Sequence, residues 1–212
     1  MVLVKFEDCK MPGRSNYSFH TTSLDQLILS TPFETQTNWA VITGAPSCGK
    51  TTLLDLLADK GYKTIPESAR QYMEGELAKG RTIQEVHANA AALQALFFKI
   101  QFEVERELPA DELFFLDGAV PGSLAWFRLF GRNPNEILPE CFHHRYAAVF
   151  ILDRLPLKQN GFRFEELGLI DFLDDWITRD YTVLGYDVVR VPVLPPQERV
   201  TFLLQRLNEK GQ

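Results

Sequence analysis

Cysteine is scarce in this 212-residue chain: Cys9, Cys48 and Cys141 are odd in number and far apart. That excludes a disulfide framework and fits a reducing compartment. Long apolar runs are missing too. The opening MVLVKFEDCK reaches a lysine at position 5, so it lacks the apolar core of a signal peptide. No other run is long and apolar enough to span a bilayer. These absences predict a cytoplasmic protein. Excess positive charge is also lacking: 22 Lys and Arg stand against 28 Asp and Glu, a formal net charge of −6. This balance disfavours non-specific binding to nucleic acid or an anionic membrane. No internal repeat or low-complexity tract interrupts the chain.

What is present supports a core, since 45% of the residues are hydrophobic. Residues 1–37 differ in pattern from the rest of the chain and are read as an N-terminal extension. In it VLVKF and NYSFH are expected to pair across the turn MPGRS, and SLDQLILS to form a short helix capped by Ser23. Residues 38–212 form the second unit, where the pattern becomes regular. WAVIT, YKTIP, LFFLD, YAAVFILD and YDVVRVPV read as strands, each a short, largely apolar run. Helical spacing fills the intervals in GKTTLLDLLADKG, ESARQYMEGELAKG, one long helix over TIQEVHANAAALQALFFKIQFEVEREL, GSLAWFRLFG, NEILPECFHHR and PPQERVTFLLQRLNEKG. Alternating strands and helices predict an α/β fold with a parallel sheet buried on both faces.

GAPSCGKTT, Gly44 to Thr52, satisfies G-x-x-x-x-G-K-[ST] in full and sits between a strand and a helix. The glycines let the main chain curl so that the N–H groups of Gly44, Ala45, Ser47, Cys48 and Gly49 converge with the helix start on phosphate oxygens. Pro46, within the same loop, has no N–H to offer. Lys50 reaches the β- and γ-phosphates. Thr51 offers its hydroxyl to Mg²⁺, and Thr52 continues the helix start. Ser47 and Cys48 are small enough for the loop. Cys48 also lies near a helix N-terminus, where a thiol is more easily ionised, so redox control is an alternative role.

Open parallel sheets bind ligands beyond the carboxyl ends of their strands. The second strand ends at Glu67 and Arg70, the third at Asp117, the fourth at Asp153 and Arg154. Asp117 reads as a carboxylate for the magnesium shell, with helix capping as the alternative. Glu67 is placed to take a proton from an acceptor hydroxyl or orient a water; otherwise it answers the helix dipole. DRLPLKQNGFRFEE carries Arg154, Lys158 and Arg163 between hinge residues. It reads as a lid covering charge during phosphoryl transfer, or as a solvated basic loop. ECFHHR lacks a second ligand pair for zinc. Phe97, Phe98 and Phe102 fit a core better than a stacking platform.

Taken together, WAVITGAPSCGKTTLLDLLADKGYKTIPESAR, LFFLDGAVPGSLAW, YAAVFILDRLPLKQNGFRFEE and LGYDVVRVPVLPPQERVTFLLQRL resemble the P-loop "AAA domain" family. That family contains the ribosylnicotinamide-kinase domain and lies near nucleoside and thymidylate kinases. The resemblance implies a three-layer fold with five parallel strands in order 2-3-1-4-5, a lid after strand four and ATP with Mg²⁺ as donor. It places Glu67 as base, Asp117 in the strand-three acid position and Arg163 as the lid arginine. Leu194, Pro195 and Arg199 would flank the purine. The chain departs from the family after strand three, where D-R-G-x-P-D is replaced by DGAVPG. Gly118 stands for the arginine and Gly122 for the second aspartate, while Asn160 stands for the lid aspartate. The expected function is therefore transfer of the γ-phosphate to a nucleoside-like or other small hydroxyl acceptor. The alternative is a nucleotide-binding regulator or slow NTPase that works through a protein partner. The absence of an N/T-K-x-D guanine signature leans toward ATP.

Overall fold

A computed structural model describes residues 21–156 and 164–210. The hairpin expected before position 20 lies outside them, as do Lys158 and Arg163. Five parallel strands form the central sheet: β1 (Ala40–Thr43), β2 (Lys63–Ile65), β3 (Phe114–Asp117), β4 (Ala148–Leu152) and β5 (Val188–Val191). Their order is β2-β3-β1-β4-β5, as expected. In register, Ile42 of β1 faces Asp117 of β3, Thr43 faces Ile151 of β4, and Leu152 faces Val191 of β5. The five carboxyl ends thus rise to one rim.

The helices are α1 (Gln26–Leu29), α2 (Lys50–Asp59), α3 (Ser68–Ala78), α4 (Ile83–Val86), α5 (Ala90–Glu107), α6 (Ser123–Leu129), α7 (Phe164–Val183) and α8 (Pro196–Lys210). Side chains of a strand alternate between the faces of its sheet. Accordingly Ala40 and Ile42 join Phe115, Phe150 and Leu152 in a core with Leu53, Leu54 and Leu57 of α2 and Val200 and Leu203 of α8. Trp39 and Val41 point the other way, into a larger core with Leu116, Leu124, Phe127, Leu173 and Tyr181. There α5 packs on α3 and α6, and α6 packs on α7.

Three expectations need correction. The long helix expected from Thr82 is broken. Thr82 and Glu85 close a capping box on the short α4, a 3₁₀ turn spans His87–Asn89, and the Asn89 side chain accepts from Ala92 N–H to start α5. Each cap satisfies the first N–H groups of a new helix, so two start signals in one apolar run make two helices. Asp25 caps α1, accepting from Leu27 N–H; Ser23 does not. NEILPECFHHR forms 3₁₀ turns at Pro134–Glu136 and Pro139–Phe142, each opened by its proline, and then His144–Arg145 pairs in parallel with Thr35–Gln36. This pairing ties the chain ahead of β1 to the segment ahead of β4.

Candidate functional site

The turn between β1 and α2 is curled by residues in the left-handed region. Gly44 has φ 135°, Ser47 φ 63° and Gly49 φ 96°. At Gly44 the requirement is steric as well. A Cβ there would lie 3.1 Å from the Leu152 carbonyl oxygen and 3.2 Å from Cys48 Sγ. Ala45 and Cys48 are buried, Pro46 is half-buried, and Ser47 and Thr52 are exposed. Cys48 has no exposed surface, so its side chain anchors the loop, and the redox role has no accessible thiol.

Lys50 opens α2 and folds back over the turn. Its Nζ donates to the carbonyl oxygens of Gly44 (3.0 Å) and Ala45 (3.1 Å) and lies 3.8 Å from Cys48 Sγ. Burial acts to lower its pKa, but its interactions with Cys48, Asp117 and Glu67 outweigh burial and hold the ammonium above its usual value. Lys50 at the start of α2, Glu67 after β2 and Asp117 at the end of β3 are thus near enough for their charges to act on one another.

Asp117, the last residue of β3, is buried. Desolvation pushes its carboxyl up to about 7; Lys50 and Arg70 pull it down, while Glu67 and Asp55 push it up. Its Oδ1 is buried with no hydrogen-bond partner among the described residues. An orphaned buried carboxylate oxygen beside Glu67 and Asp55 suits a hard divalent cation, and Thr51 stands in the first turn of the adjoining helix. The residues therefore fit magnesium. Asp117 caps no helix, because Gly118 comes next at φ 76° and donates its N–H to Ile42 O at 2.9 Å. Glu67 is the residue before α3, and its carboxylate makes no cap hydrogen bond.

The remaining candidates lie further out. Arg154 is exposed and pairs with Asp171 of α7 at 2.5 Å. Asp153 is paired with Arg190, whose Nε reaches its Oδ1 at 2.8 Å. Leu194 is half-buried, and Pro195 is exposed with its carbonyl accepting from the N–H groups of Glu198 and Arg199. Two exposed apolar residues, Leu155 and Val193, come after β4 and β5 at this rim. Arg199 does not flank an open base site as expected. It is buried, and its guanidinium donates to three main-chain carbonyls, Cys48 (2.7 Å), Asp153 (2.9 Å) and Pro192 (2.9 Å). His143 pairs with Glu34 and His144 packs on Trp39, so the histidines of ECFHHR serve the extension and the core. Phe98 and Phe102 pack against the larger core, and Phe97 meets Tyr72 edge-on.

Sequence reasoning missed two groups. One is Arg199 in its role as an anchor. The other is Glu105 of α5, fully buried and accepting from Gln101 Nε2 (2.8 Å), Val120 N–H (2.9 Å) and Tyr146 Oη (2.7 Å). Through Gln101 this network reaches Ser68, next to Glu67. Most partners of both residues are distant in sequence, so no local spacing announces them.

Known proteins share this fold. The profile of the family described as "AAA domain" matches residues 39–199, about three quarters of the chain, and the protein belongs to that family. No curated protein matches the sequence. Among solved structures, a NadR protein in complex with NR superposes with TM-score 0.61 at 20% identity, covering 82% of this chain and 51% of that one. This chain thus spans about half the length of that relative. Thymidylate kinase from Ehrlichia chaffeensis gives TM-score 0.56 at 12% identity, covering 82% and 100% of the two chains. Thymidylate kinase from Candida albicans gives 0.53 at 17%, covering 83% and 94%. At these identities the likeness establishes the fold, that of P-loop kinases. Among the described residues no helix is long and apolar enough to cross a membrane.

Proposed function

We propose that the protein is an ATP-dependent phosphotransferase acting on a small hydroxyl compound of nucleoside type, ribosylnicotinamide included. The observation that carries this reading is the meeting of Lys50, Glu67 and Asp117 beside a turn built from left-handed residues. The triphosphate lies along Gly44–Thr52, where main-chain N–H groups and the start of α2 meet its oxygens. Lys50 exchanges the carbonyls of Gly44 and Ala45 for phosphate oxygens. Thr51 and Asp117 would hold magnesium, which when bound neutralises charge on the β- and γ-phosphates. Leu155, Val193, Leu194 and Pro195 offer apolar surface for the base.

Glu67 accepts the proton of the acceptor hydroxyl as the hydroxyl oxygen forms its bond to the γ-phosphorus. The bond from that phosphorus to the bridging oxygen breaks, and ADP leaves. Arg154 moves from Asp171 toward the charge developing on the transferred group; Arg163 is assigned the same task from outside the described residues.

The test is phosphoryl transfer from ATP·Mg²⁺ to a panel of purine, pyrimidine and nicotinamide ribosides. Glu67→Gln is expected to lose about 100-fold in turnover while keeping ADP affinity within about twofold. Equal turnover in both proteins would remove Glu67 as base. One observation favours a regulator or slow NTPase as second reading. The turn after β3 consists of Gly118, Ala119, Val120, Pro121 and Gly122; the middle three are buried, and a Cβ at Gly118 would meet nothing within 4 Å. No charged side chain on that turn holds an acceptor. Tight ADP binding with no riboside phosphorylated would support this second reading.

A further inference from the structure

Arg199 has an unusual set of partners. It is 2% exposed, and among the described residues no carboxylate forms an ion pair with it. The nearest candidate, Asp153, gives its carboxylate to Arg190 and only its main-chain oxygen to Arg199. Burying an arginine without a counter-ion costs several kcal/mol in general, so a purely space-filling role would be better served by an apolar residue. The three carbonyls it holds come from the phosphate turn, from the end of β4 and from the end of β5.

The bond to Cys48 has a geometric consequence. No peptide among the described residues is cis. In a trans peptide the C=O and the next N–H point in opposite directions. Holding Cys48 C=O at 2.7 Å on the buried side therefore sends Gly49 N–H to the opposite side of the turn. Gly49 has φ 96°, a left-handed conformation that glycine adopts without steric cost, and the bond to Arg199 fixes which way its peptide faces. The unpaired positive charge beneath the turn also adds to the potential that Lys50 and the helix start create above it.

We infer that Arg199 is a positioning residue for phosphate: by gripping the Cys48 carbonyl it aims the Gly49 N–H at a phosphate oxygen, and it places a cation that forms no ion pair behind the turn. This rests on the nucleotide-binding function proposed for the turn. Its ligand class is narrower than a nucleotide, since the effect belongs to the phosphates and not to the base or sugar.

The experiment compares ADP·Mg²⁺ and adenosine binding by calorimetry in the full chain, for wild type, Arg199→Met and Arg199→Lys. Arg199→Met is expected to weaken ADP at least about tenfold, the worth of a hydrogen bond to a charged group. Adenosine should change less than about twofold. Arg199→Lys keeps the charge but holds fewer carbonyls, so its ADP loss should be intermediate. Wild-type ADP affinity in both variants overturns the inference. So do equal losses for ADP and adenosine, which would mean general loosening. Should Arg199→Met fail to fold, the lysine variant decides by the same ADP-to-adenosine ratio. Wild type that binds no ADP would instead refute the nucleotide reading, and this inference with it.

Discussion

The two faces of the sheet are built on different principles. On the α2/α8 face the core is small and mainly aliphatic, and the buried Arg199 gives its guanidinium to main-chain carbonyls. On the α5–α7 face the core is larger and aromatic, and it buries charge among side chains. Arg128 pairs with Asp180 at 2.5 Å, with 0% and 2% of their side chains exposed, and its guanidinium lies 4.2 Å from the centre of the Trp176 ring. Glu105 gathers three donors from three segments. The first face fixes a backbone shape for one kind of ligand group. The second holds the α3 start and the post-β3 turn, the segments that would meet an acceptor, by polar contacts that depend on every partner being present. On the first face a local motif is tied down by one distant arginine, whereas the second rests on pairings among several distant segments.

The largest effect is expected at Arg128. Arg128→Met leaves Asp180 as an unpaired buried acid, and a loss of about 3–5 kcal/mol is expected. Thermal unfolding without ligand should fall by roughly 10 °C, while ADP affinity of the folded protein stays within about twofold. A large drop in ADP affinity would show that the faces are not separable.

Glu105 extends the contrast to pH. Burial raises its carboxyl to about 7, against the hydrogen bonds from Gln101, Tyr146 and Val120, which act to lower it. An unfolded glutamate titrates near 4.3. Between those values the folded state holds the extra proton. Its contribution to stability is therefore full below about pH 4 and is lost as pH rises through about 7. Glu105→Gln should flatten that limb, so the stability gap between variant and wild type moves in favour of the variant from pH 5 to pH 8, by on the order of 1–3 kcal/mol. Denaturant midpoints across that range measure it; parallel curves would refute a raised carboxyl. The smallest effect is expected at Ser47, the one described non-glycine residue with positive φ. Ser47→Gly should raise stability by no more than about 1 kcal/mol, with nucleotide affinity unchanged. A clear destabilisation would contradict the left-handed turn.

Legibility in the sequence follows the reach of each contact along the chain. The alternation of strands and helices and the turn at Gly44–Thr52 are readable from local spacing, and Glu67 and Asp117 from their places at strand ends, whereas the strand order is implied by the family resemblance and not by any local pattern. The break at His87–Asn89 is encoded by Thr82, Glu85 and Asn89, but the apolar periodicity on both sides conceals it. Arg199 bonds to residues 7, 46 and 151 positions away, and Arg128 to one 52 positions away. Such long-range pairings exist only once the sheet has assembled. Arg199 reads as a base-flanking residue for that reason: its place after Pro195 is visible in the sequence, its direction is not.

Phosphate binding by the β1–α2 turn, with Lys50 as the cation, underlies every functional statement made of this protein. Calorimetric titration of the wild-type chain and of Lys50→Ala with ADP and Mg²⁺ puts it to the proof. Saturable heat is expected for wild type, with at least about tenfold weaker binding for the variant. A flat titration for wild type, or equal affinity in both proteins, would contradict it.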